Sequence, residues 1–193
     1  MNFILKIPER FRRNFSSCKR IPGVLILLRI LKAVKPYNMS KDQTNDLLKF
    51  LKPFDKNIQE IVLWLRGFVW DLYPQTNELI YDNYNALAFG WSPTEKVGHV
   101  FCNIAVGRTS KNIHFGFYWG SEIADPKKML IGEGKQYRYL LVKSKEDFPK
   151  EYIKKLLKNA YNNSSLKVKD KNQITKGATI TKSISAKKRE LKI

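Results

Sequence analysis

The 193-residue sequence is poor in the residues that build metal, disulfide and catalytic sites. It has two cysteines and two histidines, too few for a disulfide framework or a cysteine-rich zinc site. No apolar run reaches the roughly 18–20 residues of a membrane-spanning helix. The motifs HExxH and GxSxG are absent, and GEGK at 132–135 lacks the spacing of a phosphate-binding loop. Without a catalytic signature, the sequence favours a protein that is not an enzyme.

Acidic residues are also scarce, at 17 against 36 lysines and arginines, and the formal net charge is +19. The excess lies at the two ends of the chain. Residues 1–40 carry nine basic side chains and one acidic one, and residues 161–193 carry nine and two. Such patches attract phosphate groups. One candidate function is therefore association with nucleic acid or an anionic membrane through basic tails.

The two ends differ from the middle in composition as well. Residues 1–40 place basic side chains before the apolar stretch 24–28. This order fits a poorly ordered or amphipathic basic leader, a secretory signal, or a chain whose true start is Met39, and the sequence leaves the three open. Residues 162–193 contain no aromatic residue. They bury too little apolar surface to offset the entropy of ordering, so we predict a disordered basic tail.

The pattern between the ends predicts one α+β domain over residues 41–161. Apolar residues at helical spacing follow Ser40 and again Asp55, and prolines end both runs. After Pro74 the period changes to two, as in strands. The predicted strands are 86–91, 97–106, 113–119 and 136–142, and a last helix is predicted at 149–160. This order predicts an antiparallel β-sheet with the helices packed on one face.

The second and third predicted strands form a hairpin with one apolar face. A turn centred between Arg108 and Thr109 pairs Val100 with Phe117, Cys102 with Phe115, and Ile104 with Ile113. All six residues are apolar, which assigns this face to the core. The opposite face then carries His99, Phe101, Asn103, Asn112, His114, Gly116 and Tyr118. Arg138 lies on the next strand, with Lys135 at its start, and both are assigned to that second face.

The second face is the candidate binding site. Polar side chains around a floor of small residues suit a polar or anionic ligand. The predicted ligand-binding residues are His99, Asn103, His114, Tyr118, Lys135 and Arg138. The competing interpretation is the solvated side of a half-covered sheet. The two histidines have no carboxylate beside them on these strands, so neither a metal site nor a catalytic residue is assigned.

Four segments, together with the helix before them, resemble a known family. The segments are YDNYNALAFGW at 81–91, CNIAV at 102–106, NIHFGFYWGSEIADP at 112–126 and GKQYRYLLV at 134–142. Over residues 42–160 the chain resembles the YdhG-like domain family, a domain of unknown function. The resemblance implies a compact α+β fold with helices on an antiparallel sheet, in a cytoplasmic bacterial protein.

Some members of this family are described as frataxin-like iron chaperones, so the resemblance also implies iron as a cargo. Iron binding of that type relies on a ridge of exposed carboxylates. Here the acidic residues of the helical region alternate with lysines. The leading interpretation is a non-enzymatic protein that binds a small or anionic ligand or acts like an iron chaperone. Association with nucleic acid or anionic lipid through the tails is the alternative.

Overall fold

The computed structural model describes residues 43–174 and 177–189. The chain divides into two units, of which the first, Met1–Asn38, lies outside the described residues, as do the predicted leader and Ser40. The helices are α1 (Thr44–Leu51), α2 (Lys56–Leu72) and α3 (Lys150–Lys167). The strands are β1 (Asn77–Asp82), β2 (Ala86–Ser92), β3 (Cys102–Gly107), β4 (Ile113–Tyr118), β5 (Tyr137–Val142) and β6 (Thr179–Ile184).

The six strands form one sheet in the order β5-β4-β3-β2-β1-β6. Strands β1 to β5 pair antiparallel with their neighbours, whereas β6 lies parallel to β1. The α+β class predicted from the sequence is confirmed, and the prediction of a purely antiparallel sheet is corrected to a mixed one.

The chain beyond residue 161 differs most from its prediction as a disordered tail. Helix α3 continues to Lys167, and β6 completes the sheet beside β1. The Thr179 hydroxyl donates to the buried carboxylate of Glu78 at 2.6 Å, and the backbone N–H of Ser185 donates to the carbonyl of Asp82 at 2.8 Å. An edge strand added to an existing sheet gains backbone hydrogen bonds without many apolar side chains of its own. The amino-acid composition of residues 162–193 therefore did not predict strand β6.

The helices cover one face of the sheet, which we call the inner face. Helix α2 buries Ile61, Leu65 and Val69 at helical spacing, and α3 buries Ile153 and Leu157. These side chains belong to one apolar cluster with strand residues of the inner face, all of them fully buried: Phe89, Trp91, Ile104, Phe115 and Phe117. The strand period of two and the helical period of 3.6 bring the apolar surfaces together.

The β3–β4 hairpin keeps its predicted faces but not its predicted partners. Cys102 pairs with Phe117, and Ile104 pairs with Phe115. The turn is centred one residue later than predicted, which shifts the pairing by two residues. An even shift leaves each strand residue on its predicted face. The alternation fails before Cys102, because Val97–His99 is a 3-10 turn and Phe101 enters the core, where it is 1% exposed.

Candidate functional site

The outer face of the sheet, opposite α2 and α3, carries a group of ring side chains. Strand pairing aligns this face across β1 to β5. We call the group the tyrosine face, and its members are Tyr81, His114, Tyr118, Tyr137 and Tyr139. All five are partly buried.

Three of these rings form a continuous stack along β4 and β5. The centroids of His114 and Tyr139 lie 4.1 Å apart with planes at 5°, and those of Tyr139 and Tyr137 lie 5.8 Å apart at 21°. Tyr118 meets Tyr137 edge-on at 5.8 Å and 74°. Pairs of this kind stabilise by about 0.5–1.5 kcal/mol beyond their buried area. The stack lies on the side of the sheet away from the helices.

Small residues form the floor of the face, as predicted, but the space above them is filled. A Cβ atom on Gly116 would lie 2.2 Å from the Tyr137 hydroxyl oxygen and 2.3 Å from Asn103 Oδ1. A Cβ atom on Gly90 would lie 2.8 Å from Val100 Cγ1. The glycines therefore admit the tip of Tyr137, the Asn103 carboxamide and the Val100 side chain.

Asn103 is the buried polar group of this floor. It pairs with Gly90 on β2 and Gly116 on β4, and it is 6% exposed. Its Oδ1 atom accepts no hydrogen bond from the described residues. Buried polar atoms in folded proteins are nearly always paired, so an unpaired one requires an explanation.

Burial shifts the pKa values of four ring side chains of the face toward their uncharged forms. It raises the pKa of Tyr137 to about 12, against a smaller lowering by a hydrogen bond from Asn103. Burial also raises the pKa of Tyr118 and of Tyr81, and it lowers the pKa of His114. The tyrosine face is thus a neutral aromatic surface with one unpaired acceptor beneath it.

Three of the six predicted ligand-binding residues lie on this face: Asn103, His114 and Tyr118. His99 lies in the 3-10 turn instead, where its Nδ1 is 2.8 Å from Thr94 Oγ1. The carbonyl of His99 accepts a hydrogen bond of 2.5 Å from the Ser164 hydroxyl of α3. The prediction that both histidines project from one face is therefore wrong, because strand alternation begins only at Cys102.

Arg138 and Lys135 also lie away from the tyrosine face. Arg138 pairs with Phe117, which places it on the inner side of the sheet, and its Cγ atom packs against Gly120. Lys135 lies in the exposed loop before β5, where its carbonyl accepts a hydrogen bond of 3.0 Å from the Ser121 hydroxyl. The assignment of both residues to the second face is corrected.

Sequence reasoning missed Tyr81, Tyr137 and Tyr139. The two residues of β5 alternate with Arg138, so placing Arg138 on the outer face excluded them. The signal was Val142, which shares a face with Arg138 and belongs to the core cluster. Setting the phase of β5 by its buried valine would have brought both tyrosines to the outer face.

The part of the chain that the structure describes gives little support to a metal site, a reactive cysteine or a membrane-spanning helix. No three His, Cys, Asp or Glu side chains there are grouped so as to hold a metal ion. Cys102 is buried in the core, and burial raises the pKa of its thiol, which disfavours the reactive thiolate. None of the described helices is both long enough and apolar enough to cross a bilayer.

In comparisons with known proteins, the chain matches no family model, no curated protein and no solved structure. What the tyrosine face can do follows from its own chemistry.

Proposed function

We propose that the protein is a non-enzymatic protein whose tyrosine face binds single-stranded nucleic acid. The observation that carries the proposal is the ring stack of His114, Tyr139 and Tyr137, with centroid distances of 4.1 and 5.8 Å. Unpaired bases stack on aromatic side chains of open sheets, each contributing about 1–3 kcal/mol. Uncharged rings offer such bases a flat surface.

The charge of the protein supports the same ligand. The net charge is +19, and Lys143, directly after β5, is exposed. Lys182 is exposed at the irregularity in β6, the strand beside β1. Exposed lysines on the same sheet as an aromatic surface attract the phosphates of a strand whose bases stack on the rings.

The proposal includes a cytoplasmic location and membership in the YdhG-like family. The order of helices before and after a group of antiparallel strands supports the family, and the cytoplasm supplies the nucleic acid. Iron delivery is not part of the proposal, because within the described residues no carboxylate or histidine cluster forms a site for the metal.

The test measures binding of the full chain to fluorescently labelled oligo(dT) of about a dozen nucleotides, within the usual range of site sizes. We expect Tyr139→Ala and His114→Ala each to weaken binding by about tenfold, the loss of roughly one stacked base. Tyr84→Ala is the matched control, since Tyr84 is 41% exposed in the turn after β1, away from the stack. It should leave the affinity unchanged.

Salt dependence separates this proposal from binding by basic tails alone. Removing a stacking ring should lower affinity at every salt concentration and leave the salt slope intact, since the slope counts phosphate contacts. If Tyr139→Ala has no effect while affinity falls steeply with salt, the tails alone bind nucleic acid and the proposed site is wrong. Binding to anionic vesicles but not to oligo(dT) would favour the membrane alternative.

A further inference from the structure

The Asn103 carboxamide has a second unusual property besides its unpaired oxygen. Its oxygen and the Tyr137 hydroxyl both lie over Gly116, at the position that a Cβ atom would occupy. The carboxamide also hydrogen-bonds Tyr137. A planar ring with a polar tip therefore reaches into the floor of the face and meets a polar group whose hydrogen-bonding capacity is only partly used.

The surroundings of the Tyr137 ring match the dimensions of a single aromatic ring. One side is bounded by Tyr139, stacked at 5.8 Å, and another by the edge-on ring of Tyr118 at 5.8 Å. Gly116 forms the floor, with Asn103 beside it. Rotation of the Tyr137 side chain away from the sheet would leave a gap with these four walls, which we call the base slot.

We infer that one nucleobase of the ligand displaces the Tyr137 ring from the base slot, stacks on Tyr139 and donates an N–H to Asn103 Oδ1. This inference rests on the proposed function and adds how the ligand is recognised. Every unpaired base carries an N–H donor on its Watson–Crick edge, and in a duplex that donor is already used. A buried acceptor selects for a ligand group that satisfies it. The base slot therefore recognises an unpaired base by the N–H donor on its Watson–Crick edge.

The test compares two labelled oligonucleotides of equal length, oligo(dT) and the same oligomer built from N3-methylthymidine. The methyl group removes the N3–H donor and keeps the ring for stacking. We expect the full chain to bind the methylated oligomer about tenfold more weakly. Asn103→Leu should bind both oligomers equally, at the affinity of the methylated one. Asn112→Leu, in the exposed turn before β4, is the matched control and should keep the difference.

Tyr137→Ala tests the displacement itself. In this variant the base slot is already empty, so oligo(dT) does not have to displace a ring. We therefore expect Tyr137→Ala to bind oligo(dT) several-fold more tightly, whereas Tyr139→Ala binds it more weakly. Equal or weaker binding by Tyr137→Ala would overturn the displacement.

The inference and the proposed function fail in different ways. If both oligomers bind the unmodified chain equally while Tyr139→Ala still weakens binding, the face binds nucleic acid and the base slot is wrong. If neither oligomer binds, both are wrong. A thermal melt decides the role of Asn103 without a ligand. Asn103→Leu removes the unpaired oxygen together with the amide that bonds Tyr137, so its melting temperature should stay close to that of the unmodified chain, whereas a clear drop would show that the carboxamide is needed for folding.

Discussion

The buried polar side chains of β1 on the inner face and of β3 on the outer face differ in how they are paired. On the inner face of β1 the two buried carboxylates are paired: the Arg66 Nε and Nη2 atoms donate to Glu78 at 2.7 and 2.8 Å, and Asp82 bonds Arg108 and Lys188. On the outer face Asn103 of β3 is also buried, yet its Oδ1 atom is unpaired. Pairing is what folding alone requires. Asn103 Oδ1 is one of several unpaired buried atoms among the described residues, with Trp91 Nε1 on the inner face another, and it lies at the floor of the tyrosine face.

Removing a large ring from each face should separate packing from binding most strongly. Phe115→Ala empties a fully buried position of the inner face and should lower the free energy of unfolding by about 3–5 kcal/mol. Tyr139→Ala, on the neighbouring strand but the outer face, should cost less, about 1–3 kcal/mol for its two ring contacts. Urea unfolding of both variants measures the difference. Similar losses would mean that the tyrosine face is a second core.

Breaking the inner-face ion pair should have the next largest effect. Glu78→Ala leaves the Arg66 guanidinium, 18% exposed, without its carboxylate and should cost about 3 kcal/mol. Glu151→Ala is the control, because this carboxylate pairs with Lys154 while 82% exposed, and its loss should change stability by less than about 0.5 kcal/mol. Denaturant midpoints report both. A near-zero cost for Glu78→Ala would contradict the contrast between paired and unpaired polar groups.

Adding one methyl group to the outer face should have a smaller effect. In Gly90→Ala the new Cβ would lie 2.8 Å from Val100 Cγ1 and 3.2 Å from the Cys102 carbonyl oxygen, and we expect a loss of about 1–3 kcal/mol. Gly98→Ala meets nothing within 4 Å and should be neutral or slightly stabilising. Thermal melts compare them. An unchanged melting temperature for Gly90→Ala would show that Val100 moves freely above the sheet.

The dependence of stability on alkaline pH tests the burial of the Tyr137 phenol. The pKa of Tyr137 is raised from 10.0 in the unfolded chain to about 12 in the folded one, chiefly by burial. Below pH 10 the phenol is neutral in both states, so its contribution to stability is complete. Above pH 10 only the unfolded chain releases the proton, and stability falls until about pH 12.

Tyr137→Phe should make this alkaline loss of stability smaller and leave stability at neutral pH nearly unchanged. Burial also raises the pKa of Tyr73, on the helix side of the sheet, to about 12. Tyr73→Phe should therefore reduce the alkaline loss of stability in the same way. Unfolding measured on both sides of pH 10 compares the two. A slope unchanged by Tyr137→Phe would place the phenol in water and remove it from the floor of the face.

Much of the inner face was predictable because periodicity alone specifies it. The apolar residues of α2 recur at helical spacing, and those of β3 and β4 alternate, so the core side of both was identified correctly. Strand β1 was missed because Glu78 and Asp82 interrupt the apolar pattern of its inner face. Their partners Arg66 and Arg108 belong to other elements, 12 and 26 residues away along the chain, and local sequence does not reveal the pairing.

The outer face was predictable only in part, because a strand's phase depends on where its regular geometry begins. His99 was misplaced when the 3-10 turn broke the alternation before β3. Arg138 was misplaced when its polarity, rather than the burial of Val142, was used to orient β5. The unpaired state of Asn103 is a property of the assembled sheet and has no counterpart in the sequence.

The position of β6 has a consequence for the making of the protein. Thr179 follows its partner Glu78 by 101 residues, so a ribosome adding about 5–20 residues per second delivers the last strand some 5–20 s after the first. During that interval the border of β1 offers bare amide and carbonyl groups to any neighbouring nascent polypeptide. Strand β6 thus protects the edge of β1 from pairing with strands of neighbouring nascent chains on the same messenger RNA. If translation stalled before β6 was made, that edge would stay exposed.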